Sequence, residues 1–146
     1  MKFLAIALAT ALIAAPALPA AAANVDIQLL NKGEAGAMTF QPDLVKVGVG
    51  DTVTFQPTDK GHNVDIVANM LPAGAQPFKG DNSRPLTETF TVPGIYVVKC
   101  DPHYGMGMVA VIVVGDDLSN LDAVKAGKNP KLAQQRLDTI FADLAK

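Results

Sequence analysis

One short segment of the 146-residue chain concentrates the side chains that could do chemistry: Lys99-Cys100-Asp101-Pro102-His103-Tyr104-Gly105-Met106-Gly107-Met108. It offers a thiolate, an imidazole and a thioether, and Pro102 with the glycines lets the chain turn tightly enough for them to converge. Cys100 is the sole cysteine and His103 is one of only two histidines. The other, His62, follows Gly61 in a loop after the strand-like run Thr52–Gln56. Taken singly, each residue has an ordinary reading. A lone cysteine at a strand end is usually a small buried hydrophobe. A loop histidine is usually solvated, and Met108, which opens an apolar run, would serve as core. Their conjunction is what points to a site. Met108 is the preferred thioether. Met106 is the alternative, although it leaves only two residues after His103.

Two imidazoles, one thiolate and one weak thioether make the donor set of a blue-copper electron-transfer site, holding one type 1 copper ion. Soft sulfur stabilises Cu(I), while imidazole nitrogen tolerates Cu(II). A plane of three donors with a long fourth bond suits both states, so little has to move when an electron arrives. A closed zinc site is disfavoured, because a thioether is a poor fourth zinc ligand. An enzyme fits less well. An oxidase or reductase with several coppers needs more than two histidines. A Cys–His hydrolase needs a third group to orient its base, and Asp101 is too close in sequence to both partners. A copper-delivery or storage protein is the standing alternative. Such sites favour exposed, exchangeable sulfur, whereas these ligands are expected between buried strands.

Bringing His62 to the other three demands a rigid scaffold. Val25, Ile27 and Leu29 alternate with Asp26 and Gln28, the period of a half-buried strand. Short strands follow at Met38–Phe40, Leu44–Val47 and Thr52–Gln56, separated by glycine-rich turns. Residues 58–83 read as a loop with one brief helix or strand. Thr87–Val92 and Ile95–Cys100 flank the turn Pro93-Gly94, and Met108–Val114 is apolar on both faces. This is an all-β sandwich or barrel. Loops at one end of two packed sheets lie side by side, which lets His62 reach Cys100. The tail changes period. Asp116 and Asp117 lead into a first helix over Leu118 and Leu121, stopped by Gly127. Asn129 is expected to cap a second, with Pro130 at its first position. There Ala133, Leu137, Ile140, Phe141 and Leu144 form one apolar face.

The first residues stand apart. Lys2, the apolar run Phe3–Ala15, two prolines and a stretch of alanines form a secretory signal peptide over residues 1–23, cut after Ala22 or Ala23. The run is shorter than the roughly 20 residues needed to span a bilayer. The domain is then 24–146, with a helical extension over 117–145. Without Lys2 it carries 11 basic and 14 acidic side chains, a balance that argues against nucleic acid as a partner.

The segment Tyr96–Met108 resembles that of the cupredoxins, the small blue-copper proteins, and its Cys-x2-His-x4-Met spacing is similar to the plastocyanin and pseudoazurin families. Asp51-Thr52-Val53-Thr54-Phe55, Asp59-Lys60-Gly61-His62-Asn63-Val64, Leu30-Asn31-Lys32-Gly33 and the two C-terminal helices resemble the pseudoazurin family in particular. The resemblance implies a Greek-key β-sandwich with copper ligands at His62, Cys100, His103 and Met108. It implies a periplasmic electron carrier, with a copper-containing nitrite reductase or a cytochrome c as transient partner. By the same resemblance Asn63 ties the two ligand loops together and its amide donates to the Cys100 sulfur. His103 emerges within an apolar patch that includes Met38, Pro102 and Met106. Lys32, Lys60, Lys79 and Lys99 match a basic ring, joined by Lys131, that would steer an acidic partner. Asp101 departs from the family pattern and puts the charge of that surface in question.

Overall fold

A computed structural model describes residues 21–144. The leader predicted over 1–23 therefore lies almost entirely outside the described residues. The remainder forms the expected two-sheet sandwich with two C-terminal helices. The strands are β1 (Asn24–Gly33), β2 (Gly36–Gln41), β3 (Leu44–Val47), β4 (Thr52–Pro57), β5 (Asp65–Ile66), β6 (Leu86–Thr89), β7 (Gly94–Lys99) and β8 (Val109–Val114), followed by α1 (Leu121–Lys125) and α2 (Lys131–Leu144). One sheet has the order β2-β1-β4-β6 and the other β3-β8-β7-β5. β1 runs parallel to β4 and β3 parallel to β8, and the remaining pairs are antiparallel.

The period-2 pattern explains where each face goes. In β1, Ile27 and Leu29 are buried while Asp26 and Gln28 are exposed. β8 is buried along its whole length, as its unbroken apolar run requires. Its two faces serve different layers. Ala110, Ile112 and Val114 point into the core between the sheets with Phe40, Phe55 and Phe90. Val109, Val111 and Val113 pack outward against Val124, Ala133, Leu137, Ile140 and Phe141 of the helices. β7 divides the same way: Tyr96, Val98 and Cys100 face the inter-sheet core, Ile95 and Val97 the helices. Burying a side chain the size of Leu137, Ile140 or Phe141 contributes about 1.5–3 kcal/mol, so the helices complete the fold.

Two details of the tail differ from the sequence reading. The first helix is only the five residues Leu121–Lys125, and Leu118 stays 41% exposed. Asn129 does not direct its side-chain oxygen into α2. That oxygen accepts the Tyr104 hydroxyl at 2.6 Å, and the amide nitrogen reaches Gln134 Oε1 at 2.8 Å.

Candidate metal centre

The two segments that carry the donors are fixed by long-range backbone pairing. The stretch after His62 is stapled to β7, because β5 pairs Asp65 with Lys99 and Ile66 with Val98. On its other side Gly80 N–H donates to Val64 O and Ser83 N–H to His62 O. The loop before His62 is held to β1 by Asp59, whose carboxylate accepts the Asn31 amide at 2.7 Å. Gly61 sits at φ +90°, a conformation that disfavours any residue with a side chain.

The loop from β7 to β8 is a set of nested turns. His103 N–H donates to Cys100 O, Met106 N–H and Met108 N–H both donate to His103 O, and Cys100 N–H donates to Met108 O. A single 3₁₀ turn, Tyr104–Met106, occupies the middle. The loop closes on Gly107, again left-handed at φ +90°. A Cβ added there would lie 3.1 Å from the Leu132 carbonyl at the start of α2, so both the turn and the close approach require glycine.

These loops bring three donor atoms to one point. His62 Nδ1 lies 3.0 Å from His103 Nδ1 and 3.7 Å from Cys100 Sγ, and His103 Nδ1 lies 3.5 Å from the same sulfur. The centre of that triangle is about 2 Å from each atom. First-row metal bonds are about 2.0 Å to imidazole and about 2.3 Å to thiolate, so the opening is the size of an ion. The chemistry of the donors agrees. His62 Nε2 is 3.0 Å from Asn31 Oδ1, an oxygen that can only accept, so Nε2 carries the proton and Nδ1 presents its lone pair inward. Burial, then the neighbouring His103, lowers the pKa of His62, with Asp59 opposing. His62 is therefore held neutral, the form a metal needs.

Cys100 is fully buried. Burial pushes its thiol up, against backbone N–H donation from Asn63 and His103. An inaccessible, protonated thiol is a poor nucleophile, whereas those two N–H groups are ready partners for a metal-bound thiolate. Met108 is fully buried in the same apolar cluster as Cys100. Met106 is 48% exposed on the surface, so of the two thioethers Met108 is the one that shares the buried cluster of Cys100.

The expected tie through Asn63 is present, with one difference. Its side-chain oxygen accepts the Asp101 amide at 2.9 Å, and its Nδ2 donates to Asp101 Oδ2 at 3.0 Å. The donation to sulfur comes from the Asn63 backbone, leaving the side chain to lock the two loops. Two features carried no clear sequence signal. Asn31 lies 31 positions from the His62 it orients. Asp65 and Asp101 form ion pairs with both Lys79 and Lys99, so two of the five lysines of the expected basic ring are already neutralised. Hydrogen bonds from Lys79, Lys99 and Asn63 outweigh burial and hold the Asp101 carboxyl well below the usual range.

Comparison with known proteins agrees with this geometry. Residues 27–115 match the copper binding proteins of the plastocyanin/azurin family. The chain is 47% identical over 139 residues to a pseudoazurin of Paracoccus pantotrophus, spanning 95% of this chain and 96% of that one. Among solved structures, the pseudoazurin of Methylobacterium extorquens AM1 superimposes with a TM-score of 0.81 at 45% identity, covering 83% of this chain and 98% of the other. Native pseudoazurin from Hyphomicrobium denitrificans gives 0.79 at 44% identity, over 84% and 99%.

Proposed function

The chain belongs to the pseudoazurins, within the plastocyanin/azurin family of copper-binding proteins, and on that premise we propose that His62, Cys100, His103 and Met108 hold its copper. It is a blue-copper electron carrier and not an enzyme. Copper, when bound, carries the electron as the Cu(I)/Cu(II) couple. The protein's task is to keep the donors still while the charge changes. Asn31 fixes the His62 ring, the Asn63 and His103 amides steady the Cys100 sulfur, and Asn63 locks one loop to the other.

The observation that carries this reading is the triangle of two imidazole nitrogens and one thiol sulfur, all within 4.8 Å of one another. Its preformed shape suits a site that must not rearrange on reduction. The fully buried sulfur argues against a delivery protein, which would need an exposed, exchangeable ligand. His103 is the one donor ring that is only half buried, so it is the edge through which the electron leaves.

By the same reading the chain is exported to the periplasm after removal of residues 1–23. Its partner is a copper-containing nitrite reductase of denitrification, or a cytochrome c. No described helix is long and apolar enough to cross a membrane. The test is direct. Cu(II) added to the mature protein should give an intense blue colour that vanishes in Cys100→Ser. Stopped-flow reduction of a nitrite reductase and of a cytochrome c should then rank the partners. A colourless complex, or wild-type colour in the serine variant, would sink the assignment.

A further inference from the structure

Lys79 and Lys99 do not stand free beside the site. Lys79 Nζ contacts Asp101 Oδ2 and lies 3.5 Å from Asp65 Oδ2. Lys99 Nζ is 3.0 Å from that same Asp65 oxygen and bonded to Asp101 Oδ1. Each lysine thus touches both carboxylates, closing a quartet with no net charge. Asp101 cannot easily swing away, because Asn63 Nδ2 holds it at 3.0 Å. The quartet borders the loop that bears His103. On the surface of that loop and the adjoining start of α2, Pro102 is exposed, Met106 is 48% exposed and Leu132 is 51% exposed.

We propose that Asp101, seconded by Asp65, tunes partner choice: by neutralising Lys79 and Lys99 it leaves only exposed Lys32, Lys60 and Lys131 of the expected ring to steer a partner, and so weakens the pull of this face on an acidic one. This deepens the electron-carrier reading and rests on His103 as the point of exit. The argument is one of range. A free lysine presents a single charge that steers an anionic partner over about a Debye length, roughly 10 Å at moderate salt. A paired quartet presents opposed charges whose fields cancel within a few ångströms. The whole chain is net negative at −2, so an acidic surface is not drawn in by the molecule at large. With the steering charge reduced, the apolar area, chiefly Met106 and Leu132, takes a larger share of the contact.

The experiment uses the copper-loaded full domain in its reduced form. Oxidation by hexacyanoferrate(III), an anion, and by tris(phenanthroline)cobalt(III), a cation, is followed by stopped flow from about 10 mM to about 0.3 M ionic strength. Wild type should show a shallower salt dependence with both than either Asp65→Asn or Asp101→Asn. Asp101→Asn and Asp65→Asn each uncover one positive charge. Each should speed the anionic probe about three- to tenfold at low salt, slow the cationic one, and lose both effects at high salt. Asp65 does not adjoin a proposed ligand, so its variant separates surface charge from any change at the metal, and reduction potentials measured alongside correct the rates. A wild type as steep in its salt dependence as the variants would overturn the proposal, as would unchanged rates in both variants. A chain that transfers electrons to neither probe would overturn the carrier reading itself, and this inference with it.

Discussion

Met108 is fully buried and Met106 is exposed, so a mutation at each reads out a different thing. Met108→Ala removes a packed side chain and should cost about 2–5 kcal/mol, visible as a lower denaturation midpoint of the copper-free chain, together with a changed absorption spectrum of the copper form. Met106→Ala, on the surface, should stay within about 0.5 kcal/mol and leave the spectrum alone. Reversal of the two spectra would return the thioether role to Met106. Asp101 supports a pH prediction. Its carboxyl is held below its ordinary value by Lys79, Lys99 and Asn63, so the folded state binds its proton less tightly than the unfolded chain does. The stability it adds is therefore present above the unfolded value near 3.9 and fades as the pH falls below it. In thermal melts of the copper-free chain from about pH 6 down to about pH 2, Asp101→Asn should flatten the acid limb. A limb as steep as wild type would show that other carboxylates govern it. At this scale the proposed ligands stood out in the sequence, because the sole cysteine and one of the two histidines fall in one short loop. Their orienting partners did not. Asn31 and Asp65 are ordinary surface residue types, and only folding across 31 positions to His62 and 34 to Lys99 gives them their roles.

Among the elements, the join between the ligand loop and α2 is the least obvious and the most testable. Tyr104, between the two proposed ligands His103 and Met108, donates its hydroxyl to Asn129 Oδ1. Asn129 donates in turn to Gln134, and Gln134 Nε2 to Asp138 Oδ1 at 2.8 Å. A line of hydrogen bonds thus runs from the loop along the first turns of the helix, with Gly107 pressed against Leu132 beside it. Tyr104→Phe removes this bond and should cost about 1 kcal/mol; Asn129→Ala removes it together with the bond to Gln134 and should cost more, and the pair should cost little more than Asn129→Ala alone. Both should also speed amide exchange in the Met106–Met108 segment of the copper-free chain. Unaltered exchange there would reduce the bond to surface decoration. The edge strand β6 supplies another case. Glu88 lies on the same face as half-buried Leu86, and burial raises its carboxyl. A raised value means the folded state prefers the neutral acid, so stability falls as the pH rises through that window. Glu88→Gln should raise the melting temperature at pH 7 and not at pH 3. An inward charge on an edge strand also discourages pairing with a second chain, so Glu88→Val should promote association in gel filtration. The strands themselves were readable because alternation survives in them. The shortness of α1 was not: Asp117 accepts the Ser119 amide at 2.7 Å and favours a turn where apolar spacing alone suggested helix.

For the whole molecule, the two-sided burial of β7 and β8 sets the architecture. A sheet with one polar face could stand alone against its partner sheet. Here the outer face carries Val67, Met70, Ile95, Val97, Val109, Val111 and Val113, and it needs a cover. Sequence patterning announced both halves of that arrangement, an unbroken apolar strand and an amphipathic final helix, although it could not say that one lay on the other. Arg136 shows how closely the cover is fitted. From α2 it donates to the Met38, Ala35 and Ala37 carbonyls at the β1–β2 turn, about a hundred positions away. The helix therefore belongs to the cooperative unit, and its loss should be felt globally. Leu137 is fully buried at its centre, and Leu137→Ala should cost about 2–5 kcal/mol of a total that is typically only about 5–15 kcal/mol. In urea unfolding of the copper-free chain the midpoint should fall while the slope stays constant, as expected when sandwich and helices unfold together. A two-step transition, with an early loss of helix signal and an unmoved main midpoint, would mean that α2 is a detachable appendage and that the sandwich tolerates its bare outer face.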